Sequence, residues 1–361
     1  MAEKKRRIKD AKAAQIKRKR RARKWKRFWF LLSQMFLFVI LAGAWYVVKK
    51  YDRFQVYNIE KGQIVINEGV KKEGYTTIAL FGGDSREGIL EAGTHADTIM
   101  VAAIDNQTKE VRVASVYRDT LMLQDDEGLN KANSAYFRGG PQAAINMLNR
   151  NLDLDIQDYV TVDFKALADA IDTLGGIEVD VTAEEAAEAN RYVGETASVV
   201  GKQANLLSQG TQTLDGVQAV TYARIRKNVG GDYKRTERQR LVVEKVAQKL
   251  KNCDLTTLNS IIDQSFSQVS TSFTLADVLK LATGAMQYRI AGTVGFPSEV
   301  EDGRVDGIGS VVVPKGMKLN VEQLHNFLYP KEEYQSSKTV DRVDEMIKQT
   351  TGIYESETTG E

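Results

Sequence analysis

The chain has 361 residues, 42% of them hydrophobic, enough to bury a sizeable core in one to three domains. Its formal charge of +2 conceals an asymmetry: residues 1–27 carry fifteen Lys/Arg against two acids, which leaves −11 for everything after them. The lone cysteine, Cys253, excludes an intramolecular disulfide and any thiolate cluster. With only His95 and His325, a Ser-His-Asp triad or a histidine-rich zinc site has almost no basis.

In chain order, the basic arm abuts FWFLLSQMFLFVILAGAWYVV, residues 28–48, which is uncharged and as a helix spans about 30 Å, enough for a bilayer core. Trp25, Trp29, Trp45 and Tyr46 lie near its ends, where amphipathic rings favour the interface. The Lys/Arg excess puts the N-terminus in the cytoplasm and the body outside a single-pass membrane anchor. A cleaved signal peptide competes with this reading, but the apolar run is long for one and no clear small-x-small cleavage site follows it. The arm is read as a topology determinant that attracts anionic lipid, not as a nucleic-acid tail.

Residues 49–75 read as a juxtamembrane stalk or first small element. TTIALFG (76–82), TIMVAAID (98–105) and VRVASVY (111–117) have the β-branched apolar content of strands. Gly139, Gly140 and Pro141 precede a helix over AAINMLNRNL. YVTVDF (159–164) reads as a strand, ALADAIDTLGG as a helix ending at Gly175, and IEVDV (177–181) as a strand. Residues 183–210 read as an insertion or loop. LDGVQAVTYARIR runs from helix into an extended stretch, and 234–251 carries a helical apolar stripe. A strand (VVVP, 311–314) and a helix (VEQLHNFL) close the body, and 331–361 reads as a polar flexible tail. This order implies one α/β domain over 76–330, a mixed central sheet flanked by helices.

No G-x-x-x-x-G-K-S/T and no G-x-G-x-x-G occurs, and His325 sits in an apolar helix pattern that reads as packing. Carboxylates and arginines remain, a set suited to phosphate chemistry with a hard divalent cation. Asp84 and Arg86 follow a strand end in FGGDSREG, Asp97 precedes a strand in HADTIM, and Arg118 and Asp119 follow one in SVYRDT. Each is also consistent with ordinary turn chemistry. Between 221 and 240, seven basic residues face two acids, and GDYKRTERQR places Arg235, Arg238 and Gln239 on the helix. Arg235, Gln239 and Val242 share a face that continues the apolar stripe, so an arginine there needs a buried or ligand anion. Arg224 and Arg226, two apart on an extended segment, would point the same way and fork onto phosphate. Internal pairing with Asp232 or Asp84 is the competing reading.

FGGDSREG, ADTIM, SVYRDT, NKANSAYFRGGPQAAI, YVTVDF, LGGIEVDV, ARIRKN and GDYKRTERQR, in this order from about 75 to 250, resemble the LytR-CpsA-Psr family. VVVPKGMKLNVEQLHNFLYP resembles its C-terminal stretch. The resemblance implies an extracytoplasmic phosphotransferase that moves a glycopolymer (teichoic acid, capsule or wall polysaccharide) from a polyprenyl pyrophosphate carrier to peptidoglycan. A phosphodiester forms and polyprenyl phosphate leaves. By position, Asp84 and Asp97 match the family's magnesium-associated acids, the cofactor being Mg2+ (or Mn2+). Arg86, Arg118, Arg224, Arg226, Arg235 and Gln239 match its pyrophosphate contacts, with Lys131 a weaker match. The family also has an apolar groove for the lipid tail. Two departures stand out: His95 where an arginine is usual, and Tyr117 where a proline is frequent.

Together with the anchor, the resemblance implies a membrane-anchored, metal-assisted transferase in a Gram-positive-type wall. Arg118, Asp119 and Asp232 are its catalytic candidates, and Asp97, Asp119 or Asp232 the general base. Arg238 joins the phosphate-binding set. A hydrolase using water as acceptor, and a non-catalytic regulator whose arm binds nucleic acid, are the alternatives.

Overall fold

The computed structural model of the chain describes residues 45–56, 59–84, 90–284 and 287–354. The chain divides into two units, Met1–Asp52 and Arg53–Glu361. In the first, residues 45–51 are helical. The basic arm and all of the expected membrane span except 45–48 lie outside the described residues, among which no helix is long and apolar enough to cross a membrane.

In the second unit the strands are β1 (Gln55–Val56), β2 (Tyr75–Asp84), β3 (His95–Asp105), β4 (Glu110–Val116), β5 (Leu121–Leu123), β6 (Leu129–Lys131), β7 (Asp158–Asp163), β8 (Ile177–Val181), β9 (Gly210–Leu214), β10 (Val269–Thr271), β11 (Arg289–Phe296), β12 (Val300–Val305) and β13 (Gly309–Pro314). The helices are α1 (Ala132–Leu152), α2 (Phe164–Thr173), α3 (Ala183–Val200), α4 (Gly216–Arg224), α5 (Gly231–Asn252), α6 (Leu255–Ser265), α7 (Leu275–Gly284), α8 (Met317–Leu328) and α9 (Lys338–Thr351).

Seven strands form a mixed sheet in the order β1-β10-β7-β2-β3-β4-β11, as the α/β reading requires. β2 runs parallel to β7 and β4 to β11, while β3 lies antiparallel between β2 and β4. The carboxyl ends of β2, β4, β7 and β11 therefore share one edge with the start of β3, the edge where α/β sheets form ligand crevices.

β3 reads as an almost unbroken apolar run because both of its faces are covered. Ile99, Val101 and Ala103 enter the main core with Met147 of α1, Val321 of α8 and Val343 of α9. Met100 and Ala102 face the other way, against Val243 of α5. Beside the sheet, α2, α3, α4 and the antiparallel β8–β9 pair enclose a second core around Ile171, Val193 and Val220.

Three boundaries differ from the sequence reading. Residues 183–210 are not an unpatterned insertion: α3 occupies 183–200, opened by a reciprocal Thr182–Glu185 capping box and closed by Gly201 at φ +70°. The 331–361 segment is not a flexible tail as far as it is described, since α9 buries Val340, Val343 and Ile347 in the main core. Part of the 49–75 stalk belongs to the fold, because β1 pairs with β10, Ile59 joins the core, and Asn67 donates to Asp153 at 2.6 Å.

Candidate active site

Four segments converge at the carboxyl edge of the sheet. In the β2–β3 ladder Gly82 pairs with Thr98 and Gly83 with Ala96, so Asp97 is the extra residue of a bulge, a device that re-aims a side chain. Asp84 pairs with His95 one step further on. After β4, the Arg118 and Asp119 carbonyls accept from Asn133 N (3.0 Å) and Val312 N (2.9 Å), which fixes the loop from two sides. Lys131 closes β6 and is the N-cap residue of α1. Gly230 and Gly231, at φ +86° and +65°, make the left-handed turn into α5 and set Asp232 in its first turn.

These segments bring Asp97, Arg118, Asp119, Lys131, Arg226, Asp232 and Arg235 together. Arg118 Nη1 pairs with Asp97 Oδ1, and its Nε lies 3.6 Å from Asp119 Oδ2 and 4.0 Å from Asp232 Oδ2. Asp119 meets Lys131 Nζ at 3.2 Å and Arg226 at 4.0 Å. Asp232 lies between two guanidinium groups, Arg226 Nε at 2.7 Å and Arg235 Nη2 at 3.1 Å. The Arg235 side chain is 5% exposed and that of Asp232 11%, whereas Arg226 is 43% exposed and faces the opening.

Four cations thus surround three carboxylates. Burial pulls the Arg235 guanidinium down to about 10, against the support of Asp232 and with opposition from Arg118 and Arg226. Burial acts the same way on Arg118, but Asp97, Asp119 and Asp232 together hold it above its ordinary value. Arg118 Nε and Arg235 Nε are both buried without a hydrogen-bond acceptor. Buried donors are rarely left unmet, so excess positive charge and idle guanidinium N–H groups together suit the cluster to an anionic ligand.

The remaining predicted residues are placed differently. Arg226 does not fork with Arg224: α4 ends at Arg224, the extended Ile225 turns the chain, and the two guanidinium groups separate. Arg224 stacks over Phe164 with 4.7 Å to the ring centroid and reaches Thr196 Oγ1 at 3.4 Å. Arg238 is not in the cluster; it is held by Glu185 Oε1 at 2.7 Å and by the carbonyls of Ile225 and Val229. Gln239 lines an apolar cavity. Arg86 lies outside the described residues. Exposed His95 stacks on Phe137, with centroids 4.4 Å apart and planes at 13°.

That cavity, about 220 Å³, lies between the sheet and α2, α4 and α5, with Leu80, Met100, Val160, Val220 and Val243 among its walls. Its lining is spread over strands and helices far apart in the chain, so no local pattern announces it. A wider cleft of about 780 Å³, rimmed by polar and charged residues, runs along Tyr192, Glu195, Arg224, Arg226 and Asn228. Arg224 lines both spaces.

Among the described residues no group of three ligating side chains stands ready for a metal ion. Asp97, re-aimed by the bulge at the start of β3, nevertheless offers hard oxygen donors, and Mg2+ is commonly held by one or two carboxylates with the substrate's phosphates.

The sequence profile of the LytR_cpsA_psr family matches residues 44–325. The polyisoprenyl-teichoic acid–peptidoglycan teichoic acid transferase TagU of Enterococcus faecalis is 29% identical over 269 residues, 72% of this chain and 82% of that one. The regulatory protein MsrR of Staphylococcus aureus is 28% identical over 211 residues, 57% of this chain and 60% of its own. The solved structure of the protein YwtF (TagT) with bound octaprenyl pyrophosphate lipid has the same fold, at a TM-score of 0.55 and 18% identity over 75% of this chain and 99% of that one.

Proposed function

The chain belongs to the LytR-CpsA-Psr family, and from that premise we propose that it transfers an anionic glycopolymer from a polyprenyl pyrophosphate carrier to peptidoglycan. The observation that carries the reading is Arg224, shared between an apolar cavity and a wider cleft rimmed by charged and polar residues, next to a cluster with surplus positive charge. Such a site suits one ligand that is apolar at one end, doubly anionic in the middle and polyhydroxylated at the other. The isoprenoid tail enters the cavity, the pyrophosphate lies on the arginines, and the saccharide extends along the cleft. Teichoic acid transfer by the related TagU supports this assignment.

The reaction joins an acceptor hydroxyl oxygen to the phosphorus that bears the saccharide. The bond from that phosphorus to the bridging oxygen breaks, and polyprenyl phosphate leaves with the electron pair. Arg118, Arg226 and Arg235 meet the charge that grows on the phosphoryl oxygens and on the leaving group. Their carboxylate partners hold them in place beforehand, so little reorganisation is needed during the step. Asp119 is the best-placed general base, because its cationic neighbours stand at 3.2–4.0 Å whereas Asp97 and Asp232 are each closely paired. Asp84 and Asp97 are the proposed Mg2+ or Mn2+ ligands, and the ion supplies charge neutralisation at the pyrophosphate.

The uncharged 28–48 segment anchors the chain in the membrane where a lipid carrier resides, with the 53–354 body on the outer face. Retention of the chain in membranes washed at alkaline pH tests the anchor; release into the wash removes it. The site is tested by Arg118→Ala in the full-length chain. Conjugate formation from a polyprenyl pyrophosphate-linked saccharide and peptidoglycan oligomers is expected to be lost while the fold persists. Undiminished transfer would remove the assignment.

A further inference from the structure

Arg238 stands one turn beyond Arg235 on α5, yet its guanidinium, 4% exposed in the folded chain, turns away from the anion site. Nε donates to Glu185 Oε1 at 2.7 Å, Nη1 to the Ile225 carbonyl at 3.0 Å, and Nη2 to the Val229 carbonyl. These two carbonyls bracket the bend that carries Arg226. The bend holds Asn228 in the left-handed region at φ +59° and is closed by Gly231 N donating to the Arg226 carbonyl at 3.0 Å. A second tie comes from the same helix: Asn228 Nδ2 donates to Glu188 Oε2 at 3.2 Å, and Glu188 is 2% exposed. α3 therefore holds the bend directly through Glu188 and indirectly through Glu185, which fixes Arg238, although neither glutamate touches the anion cluster.

We propose that Arg238 and Glu185 are positioning residues that hold the 225–229 bend so that Arg226 meets the donor's phosphates. Arg226 has the greatest need of such support, being 43% exposed, with its close partner Asp232 shared with Arg235 and Asp119 only at 4.0 Å. Only a planar fork serves both bracketing carbonyls and a carboxylate at once, which a lysine cannot do. Glu185 is already fixed by its role in the capping box, where Oε2 accepts from Thr182 N at 3.1 Å, leaving Oε1 aimed at Arg238. The bend also lines the 780 Å³ cleft through Ile225, Arg226 and Asn228, so its placement sets that wall too. The inference rests on the reading of Arg226 as a phosphate contact.

The test is a double-mutant cycle in the full-length chain, with kcat and KM measured for a polyprenyl pyrophosphate-linked saccharide donor. Arg238→Lys is expected to lower kcat/KM roughly 10²-fold, the cost of a misplacement of about 1 Å. In an Arg226→Ala background the same substitution is expected to have no further effect, since it acts through Arg226. Glu185→Gln leaves one oxygen where two now serve Thr182 N and Arg238 Nε, so it is expected to lower kcat/KM as well, by a smaller factor, and only while Arg226 is present. It also carries the cycle by itself if Arg238→Lys does not fold. Wild-type turnover in Arg238→Lys and Glu185→Gln would overturn the proposal, as would an equal loss with or without Arg226. Undiminished turnover in Arg226→Ala alone would instead remove the phosphate-contact reading and this proposal with it.

Discussion

Arg235→Met separates the two roles open to a buried guanidinium. Burial holds Arg235 near 10 rather than 12.5, even with Asp232 at 3.1 Å. At about 1.4 kcal/mol per pKa unit, keeping the charge there opposes folding by about 3 kcal/mol. Methionine removes that penalty, and Asp232 keeps Arg226 at 2.7 Å, so the ligand-free variant is expected to be as stable as the parent within about 1 kcal/mol, or more stable. Activity moves the other way. One charge at about 4 Å from a phosphoryl oxygen, in surroundings of intermediate polarity, is worth about 4 kcal/mol, and a single lost donor to a developing oxyanion costs roughly 10²–10³-fold in rate. The assay pairs urea unfolding of the variant with the initial rate of conjugate formation by mass spectrometry. A large loss of stability, or transfer within about threefold of wild type, would refute the assignment of Arg235 as a ligand group whose strain is retained for function.

Ala223→Phe puts a ring into the 220 Å³ apolar cavity and is expected to abolish transfer from long polyprenyl donors while sparing short-tailed ones; equal loss with both would detach the cavity from the tail. Asp163 is 3% exposed, and burial raises its carboxyl to about 6, so the folded state binds the extra proton between about pH 4 and 6 and stability falls as pH rises through that window. Asp163→Asn retains an N-cap acceptor for Ala166 N and is expected to stabilise the fold by about 1–3 kcal/mol at pH 7.5 but not at pH 4, as denaturant unfolding at the two pH values would report. Chelation of divalent cations is expected to stop transfer, with Mg2+ or Mn2+ restoring it and Asp97→Asn raising the concentration required. Full activity in chelator would remove the metal from the account.

The strands were legible where burial was two-sided. TIMVAAID is apolar at successive positions because Ile99 and Met100 enter different cores. α3 was missed because much of its buried face is alanine, too weak a pattern to mark a stripe, although Thr182 and Glu185 already had capping-box spacing. α9 was missed for a related reason: Val340, Val343 and Ile347 make a narrow stripe in an otherwise charged segment. At the site, Asp97, Arg118 and Asp119 were nameable from strand ends, and Arg226, Asp232 and Arg235 from the basic 221–240 stretch, whereas Lys131 came only from the family resemblance. Arg238 was not separable from Arg235, since its partner Glu185 lies 53 residues away in the chain. The apolar cavity was invisible because its walls come from distant segments.

The most direct test of the central claim is product analysis in water enriched in heavy oxygen. The full-length chain would be incubated with a polyprenyl pyrophosphate-linked saccharide, peptidoglycan oligomers and Mg2+, and its products weighed by mass spectrometry. A saccharide–phosphate–peptidoglycan conjugate with no heavy oxygen at its phosphorus is the expected result, because the acceptor hydroxyl supplies the new bond. Free saccharide phosphate carrying one heavy oxygen, with no conjugate, would mean that water is the acceptor and would contradict the account.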